Sequence, residues 1–141
     1  MKKKILDQLI KILEPSEFSV DQDVIEKHCV DWRGEYKGYS DLIIFPKSVK
    51  KVSEILQFCQ KYRIPIIPQG GNTGLVGGSV PRNNRKETIL NLSNLNNIRE
   101  IDLVGNSITV ESGCILENVK NELSKHDLMF PLSMGSRGIC Q

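Results

Sequence analysis

The chain has 141 residues, of which 39% are hydrophobic and 26% are charged, so its length fits one domain or part of a larger protein and excludes two complete domains. The 19 Lys and Arg and the 17 Asp and Glu are scattered along the chain and give a formal net charge of +2. The chain therefore lacks the basic footprint of a nucleic-acid-binding surface, and its composition lies outside the range of disordered proteins.

The N-terminal segment predicts a short amphipathic helix followed by an irregular strap. Apolar residues recur at helical spacing from Ile5 to Leu13, and Pro15 ends the pattern. Polar residues interrupt this stretch, and no apolar run approaches the length of about 18 residues that a membrane helix needs. We therefore expect no transmembrane segment and a cytoplasmic location. Residues 16–41 are polar and aperiodic, which indicates an ordered surface strap, and we place a domain boundary between 1–37 and 38–141.

The middle of the chain predicts a parallel β-α-β unit. A buried strand at 42–45 ends at Pro46, and Ser48 is the predicted N-cap of an amphipathic helix. A second strand follows at 65–68. The separation of about 20 residues is typical of a parallel crossover connection.

The remaining elements alternate between short strands and one helix. Strands are predicted at 88–92, 98–103 and 107–111, the last two joined by a hairpin turn at Gly105-Asn106, and a helix at about 115–125 precedes a short strand near Met129-Phe130. Alternation along the third strand predicts that Glu111 faces solvent. The isolated histidines, His28 and His126, are predicted to be surface or locally hydrogen-bonded residues. The four cysteines form no C-x-x-C pair, so we predict reduced thiols and no metal site.

A glycine-rich segment follows the second strand, with five glycines between Gly70 and Gly78. Such a loop lets successive backbone N–H groups surround an anion such as a pyrophosphate, to which Asn72 and Thr73 would add side-chain donors. The segment is neither a P-loop, since no Gly-Lys pair occurs, nor a G-x-G-x-x-G dinucleotide fingerprint, since Gln69 replaces its first glycine. A flexible connection and the GXXG loop of an RNA-binding KH domain remain as alternatives, although the segment opens no helix.

Five segments carry a family resemblance. They are PQGGNTGLVGGSVP at 68–81, DWRG at 31–34, FP at 45–46, TVESGC at 109–114 and FPLSMGSRG at 130–138. In order and spacing they resemble the FAD-linked oxidases of the vanillyl-alcohol oxidase and p-cresol methylhydroxylase type, and most of all their FAD-dependent D-2-hydroxyacid dehydrogenases, which act on acids such as D-2-hydroxyglutarate, D-lactate and glycolate. The resemblance implies an α+β FAD-binding domain in which a small parallel βαβ subdomain is joined to the start of an antiparallel subdomain.

The resemblance also implies where the cofactor lies. The residues expected to bind FAD are, for the pyrophosphate, Gly70, Gly71, Asn72, Thr73, Gly74 and Leu75, and, on the facing side, Pro131, Gly135, Ser136 and Gly138. Some relatives carry at the position of Asn72 a histidine that bonds covalently to the flavin, so the asparagine implies non-covalent FAD. Because the family's catalytic histidine, substrate-binding arginine and metal-binding histidines come after the position of Gln141, no catalytic or metal residue is predicted.

The resemblance covers the N-terminal part of the family's FAD-binding domain. We therefore expect an N-terminal fragment, from a truncated, split or decayed gene, or a chain completed by a separate C-terminal polypeptide. Unpaired strands would lower its stability when it is made alone. A non-catalytic or vestigial nucleotide-binding protein is the alternative function.

Overall fold

The computed structural model describes residues 3–83, 87–135 and 138–141. Its helices are α1 (Lys3–Ile10), α2 (Gln22–His28), α3 (Val49–Tyr62) and α4 (Leu116–Ser124), with a 3₁₀ turn at Pro15–Glu17. Its strands are β1 (Phe18–Ser19), β2 (Ile43–Ile44), β3 (Ile66–Gln69), β4 (Thr88–Asn91), β5 (Ile98–Asp102) and β6 (Ser107–Val110). The predicted order of elements from β2 to α4 is confirmed.

The larger sheet has the strand order β1-β2-β4-β3. Strands β2 and β3 both run parallel to β4, with Ile43 and Ile67 opposite Ile89, while β1 is antiparallel to β2. The parallel β-α-β unit is thus confirmed, but β4 lies between its two strands. Helices cover both faces of β4, whose four residues are all buried, and this explains its continuous apolar and small-polar sequence.

Two hydrophobic cores sandwich this sheet. On one face, helices α1 and α3 pack against the strands through Leu9, Ile55 and Cys59, which join Ile44 and Leu90 in one cluster. The other face is covered by α2, whose Ile25 and the adjoining Cys29 contact Ile43 and Ile89. The alternation of burial along β2 and β4 therefore places successive isoleucines and leucines in opposite cores.

The second sheet is the antiparallel hairpin β5-β6. Its turn places Asn106 in the left-handed region, with φ of 49°, a conformation that asparagine tolerates better than most residues. The hairpin packs against α4 through Ile98, Ile101 and Ile108, which contact the buried Val119 and Leu123. The predicted hairpin and helix are confirmed.

Two predicted elements are corrected. The segment 16–41 is not irregular throughout, because it contains β1 and α2; Asp21 caps α2 by accepting a hydrogen bond from the Asp23 N–H at 2.9 Å. Seven residues are too few to show a helical period clearly. The residues near Met129 and Phe130 form no strand, because Phe130 contacts the hydrophobic cluster under α4 without joining a strand ladder.

Candidate functional site

The site lies at one edge of the larger sheet. Because β2, β3 and β4 are parallel, their carboxyl ends meet at the same edge, where ligands bind in open α/β sheets. Phe45 follows β2, Gly70 follows β3, and Asn91 ends β4. All three residues line one cleft of about 510 Å³.

Three further segments complete the walls of this cleft. The end of α2 contributes Lys27 and His28, and the residues that follow it contribute Val30, Asp31 and Trp32. Gly138, Ile139 and Gln141 line the cleft together with Gly70, Gly71 and Asn72. The cleft therefore brings together segments that are more than 40 residues apart in the sequence.

The loop from Gly70 to Gly78, here called the glycine loop, presents unpaired backbone donors. From Gly71 to Val76, no backbone N–H donates a hydrogen bond to any of the described residues. Asn72 has φ of 53°, and a residue in this left-handed conformation changes the direction of the chain and of the amides around it. Successive amides with such a turn form a concavity that attracts anions.

The Asn72 side chain supports the loop from inside. Its Nδ2 donates to the carbonyl oxygen of Val30 at 2.8 Å, and its Oδ1 accepts from the Ser79 hydroxyl at 2.7 Å. Both polar groups of the carboxamide are therefore engaged within the protein. They hold the left-handed turn and connect the start of the loop to its end.

Gln69 is a connecting residue that sequence reasoning missed. Its side chain is buried, and its Nε2 donates to the carbonyl oxygens of His28 and Ser79, each at 2.9 Å. Its Oε1 lies 2.6 Å from His28 Nδ1 and 3.4 Å from Asn91 Nδ2. Because Gln69 precedes the glycine loop and Ser79 follows it, one carboxamide fixes both ends of the loop. The only signal in the sequence is a polar residue at the end of a buried strand.

Residues 31–36 form a turn, here called the Asp31 turn, that holds the outer part of the loop. The Asp31 carboxylate accepts from the backbone N–H of Tyr36 at 2.8 Å and of Arg33 at 3.3 Å. These donors, that of Tyr36 first, lower the pKa of Asp31 from its ordinary value of 3.8. From this turn Arg33 Nη2 donates to the carbonyl oxygen of Leu75 at 3.0 Å.

One glycine of the loop is required by a close backbone contact. A Cβ at Gly71 would lie 1.7 Å from the carbonyl oxygen of Ile139, so only glycine allows the two segments to approach. By contrast, a Cβ at Gly74 would have only Ser79 Oγ near it, at 4.0 Å, and one at Gly78 would meet nothing within 4 Å. The space beside Gly74 is thus open.

The predicted site residues fall into four groups. The cleft is lined by four of them, Gly70, Gly71, Asn72 and Gly138, and the glycine loop continues beyond it with Thr73, Gly74 and Leu75. Pro131 lines a separate depression of about 370 Å³ beside α4, and Gly135 is exposed. Ser136 lies outside the described residues. Their contacts with a cofactor stay predictions. Within the described part of the chain, no group of three or more His, Cys, Asp or Glu side chains could hold a metal ion.

The predicted environment of Glu111 is wrong. The Glu111 side chain is only 12% exposed, and it accepts hydrogen bonds from Arg99 at 2.9 Å and from the Asn97 side chain at 2.8 Å. The Arg99 contact, followed by those of Asn97, lowers the pKa of Glu111 from its ordinary value of 4.5. Strand alternation could not show that Arg99 on β5 and Asn97, which precedes that strand, supply these donors.

In open α/β sheets, phosphate-bearing ligands bind at the carboxyl edge, where a glycine-rich loop can offer unpaired backbone amides. Residues 40–141 match a family described as the FAD-binding domain. The chain belongs to this family of FAD-binding domains, whose cofactor is a flavin.

The chain is also similar to much longer proteins. It is 42% identical over 120 residues to the mitochondrial D-2-hydroxyglutarate dehydrogenase of Arabidopsis thaliana, covering 85% of this chain and 21% of that protein. The corresponding mitochondrial protein of Danio rerio is 38% identical over 130 residues, which cover 92% of this chain and 24% of that protein. The chain thus spans less than a quarter of the length of these two curated relatives.

Solved structures share the fold. Alkyldihydroxyacetonephosphate synthase matches with a TM-score of 0.85 and 21% identity, over 99% of this chain and 28% of that one. Substrate-bound p-cresol methylhydroxylase matches with a TM-score of 0.78 and 21% identity, over 97% of this chain and 27% of that one. The predicted fold, an FAD-binding domain of the p-cresol methylhydroxylase type, is confirmed.

The predicted cytoplasmic location is wrong, because the D-2-hydroxyglutarate dehydrogenases of Arabidopsis thaliana and Danio rerio that the chain resembles are mitochondrial proteins. The prediction was based on the absence of a long apolar run. Targeting to an organelle does not require such a run, so its absence does not indicate the cytoplasm. Among the described helices, none combines the length and apolar character needed to cross a membrane.

Proposed function

We propose that this chain binds FAD non-covalently and is the N-terminal FAD-binding portion of a flavin-dependent oxidoreductase that oxidises a D-2-hydroxy acid to a 2-oxo acid. The observation that carries the cofactor part is the run of unpaired backbone N–H groups from Gly71 to Val76. They lie beside a cleft at the carboxyl edge of a parallel sheet, in a chain whose family binds FAD.

The glycine loop fits the diphosphate of FAD. A diphosphate offers several anionic oxygens, and unpaired amides are the donors that such oxygens require. The open space beside Gly74 allows the backbone to approach a ligand directly. We propose that six loop residues hold the diphosphate, namely Gly70, Gly71, Asn72, Thr73, Gly74 and Leu75. We propose that Pro131, Gly135 and Gly138 line the cofactor on its facing side; Ser136, predicted with them, lies outside the described residues.

The state of Asn72 supports non-covalent binding. A carboxamide nitrogen is not a nucleophile at neutral pH, and both polar groups of this side chain are already hydrogen-bonded to Val30 and Ser79. The side chain therefore acts on the loop, and the loop amides act on the ligand.

The proposed class of substrate, a D-2-hydroxy acid, is supported by the relatives, which are D-2-hydroxyglutarate dehydrogenases. When bound, FAD would supply the acceptor for the hydride that leaves the carbon carrying the hydroxyl group, and the hydroxyl proton would pass to a base in a further part of the enzyme. The contribution of the chain itself is to bind and orient the dinucleotide; we assign it no catalytic residue. We propose that substrate contacts come from a further part of the enzyme, which a separate polypeptide could supply.

The test is a titration of the chain with FAD, in which binding is measured by the quenching of flavin fluorescence. Gly74→Ala places a methyl group in the open space where the ligand approaches, and we expect FAD affinity to fall about 10- to 100-fold through loss of charge-assisted hydrogen bonds. Gly78→Ala is the matched control, because its methyl group would meet nothing within 4 Å and lies outside the proposed contacts. Equal affinity of the two variants would contradict the proposal.

A binding protein without catalysis is the second candidate, because the residues placed around the cleft are assigned to binding the dinucleotide and none is assigned a catalytic role. The same FAD-loaded preparation separates the two functions. Bleaching of the flavin absorbance by D-2-hydroxy acids under anaerobic conditions supports the oxidoreductase, either with the chain alone or after addition of a completing polypeptide. FAD binding without bleaching in both cases supports the second candidate.

A further inference from the structure

The carboxamide of Gln69 determines which ring nitrogen of His28 carries a proton. Gln69 Nε2 faces two carbonyl oxygens, those of His28 and Ser79, each at 2.9 Å. A flipped carboxamide would place its oxygen against both of these acceptors, so the orientation is fixed. Gln69 Oε1 must therefore accept from His28 Nδ1, which lies 2.6 Å away, and Nδ1 carries the proton.

This leaves the other nitrogen of the ring for a ligand. His28 Nε2 has no hydrogen-bond partner among the described residues. The ring is held in place by Gln69 and by an edge contact with Phe45, with centroids 5.8 Å apart. His28 also lines the cleft beside Gly70 and Gly71. In the neutral ring, a protonated Nδ1 makes Nε2 an acceptor.

The chemistry of the ligand determines what such an acceptor can bind. The diphosphate of a dinucleotide offers only acceptors at neutral pH, so it cannot donate to Nε2. The groups joined directly to the diphosphate are the ribityl chain on one side and the ribose on the other, and both carry hydroxyl donors. Gln69 immediately precedes the glycine loop, so His28 stands next to the place proposed for the diphosphate.

We infer that His28 is a dinucleotide-binding residue whose Nε2 accepts a hydrogen bond from a sugar hydroxyl adjoining the diphosphate. Gln69 is the positioning residue, because it fixes both the ring and its tautomer. This inference depends on the proposed FAD binding and extends it to a residue outside the glycine loop.

Two substitutions separate the ligand contact from the structural one. In His28→Asn, the amide nitrogen occupies the place of Nδ1 and can still donate to Gln69, but the acceptor at Nε2 is lost. In His28→Gln, the side chain reaches toward the place of Nε2, whereas the donor close to Gln69 is lost. A structural role alone predicts that His28→Asn behaves as the unchanged chain.

The experiment measures the affinity of the unchanged chain and both variants for FAD, FMN, ADP and inorganic pyrophosphate, with thermal unfolding followed in parallel. We expect His28→Asn to keep the unfolding temperature and to bind FAD about 3- to 10-fold more weakly, the effect of one hydrogen bond. His28→Gln should lower the unfolding temperature and retain more of the FAD affinity. A loss of affinity that appears with FMN identifies the ribityl chain, and one that appears with ADP identifies the ribose.

Several results would overturn the inference. Unchanged FAD affinity in a folded His28→Asn variant would leave His28 a purely structural role, and an equal loss with pyrophosphate would mean that the ring contacts phosphate. Failure of the unchanged chain to bind FAD is a different result, because it rejects the proposed function itself.

Discussion

Three polar side chains shape the site by acting on backbone atoms. Asp31 accepts from the N–H groups of its own turn, Asn72 connects the glycine loop to Val30, and Gln69 joins both ends of the loop to α2. Each of these side chains is engaged by hydrogen bonds, and no buried side-chain polar atom of the described residues lacks a partner. Buried polar groups satisfied in this way specify one arrangement of the loops around them.

Acid should weaken the Asp31 turn. The pKa of Asp31 is lowered in the folded protein, mainly by the Tyr36 N–H, so its contribution to stability is present above the unfolded pKa and is lost as pH falls through the folded pKa. We expect Asp31→Asn to be less stable than the unchanged chain at pH 6, with the difference shrinking as the pH falls below about 4 and through the lowered folded pKa.

Urea unfolding at a series of pH values measures this difference. The control is Asp7→Asn, at an exposed residue on α1. We expect the stability of this variant to depend on pH in the same way as that of the unchanged chain. A difference between the unchanged chain and Asp31→Asn that stays constant with pH would show that the carboxylate charge does not support the turn.

The clearest element is α3, whose two ends are both defined locally. Ser48 Oγ accepts from the Lys51 N–H at 3.1 Å, and Arg63 ends the helix in the left-handed conformation, with φ of 52°. Between these ends, Ile55 and Cys59 are buried against the sheet, and burial raises the pKa of the Cys59 thiol to about 11. Cap and apolar stripe agree, which explains why the sequence predicted this helix well.

Removal of the N-cap tests that agreement. Ser48→Ala should lower the free energy of unfolding by about 1 kcal/mol, because an N–H group in the first turn loses its acceptor. Chemical denaturation measures the loss. The control, Ser53→Ala, makes the same change at a solvent-exposed position in the middle of α3, where alanine favours the helix. If Ser53→Ala lost as much stability as Ser48→Ala, the result would argue against a capping effect.

At the scale of the whole molecule, the segment that follows α2 closes over the glycine loop. The contacts are the Arg33 hydrogen bond to Leu75, the Asn72 hydrogen bond to Val30 and the approach of Gly38 to Pro81. The site therefore depends on packing between the N-terminal part of the chain and the parallel sheet. The predicted boundary near residue 37 falls within this contact and stays a prediction.

Gly38 provides a test of this packing. A Cβ at Gly38 would lie 1.7 Å from the carbonyl oxygen of Pro81, so Gly38→Ala must move one of the two segments. We expect a loss of about 1–3 kcal/mol in the free energy of unfolding, the usual cost of overpacking. Gly78→Ala, whose methyl group meets nothing within 4 Å, should cost nothing, and a tolerated Gly38→Ala would contradict the close approach.

The sequence by itself determined the features that depend on near neighbours. The strands from β2 to β6, the Ser48 cap and the hairpin turn follow from local periodicity and turn chemistry, and the density of glycines located a loop whose anion binding stays a prediction. The family resemblance added the fold type. The prediction that His28 is a surface or locally hydrogen-bonded residue was based only on its neighbours in the sequence.

Only the tertiary structure decided which distant residues meet. It placed β4 between β2 and β3, brought Gln69 against His28 across 41 positions, and engaged the Asn72 side chain in holding the loop. Hydrophobic periodicity reports which face of an element is buried, whereas a hydrogen bond between side chains also depends on the register and packing of elements far apart in the chain. For that reason the sequence located the loop but not the residues that hold it.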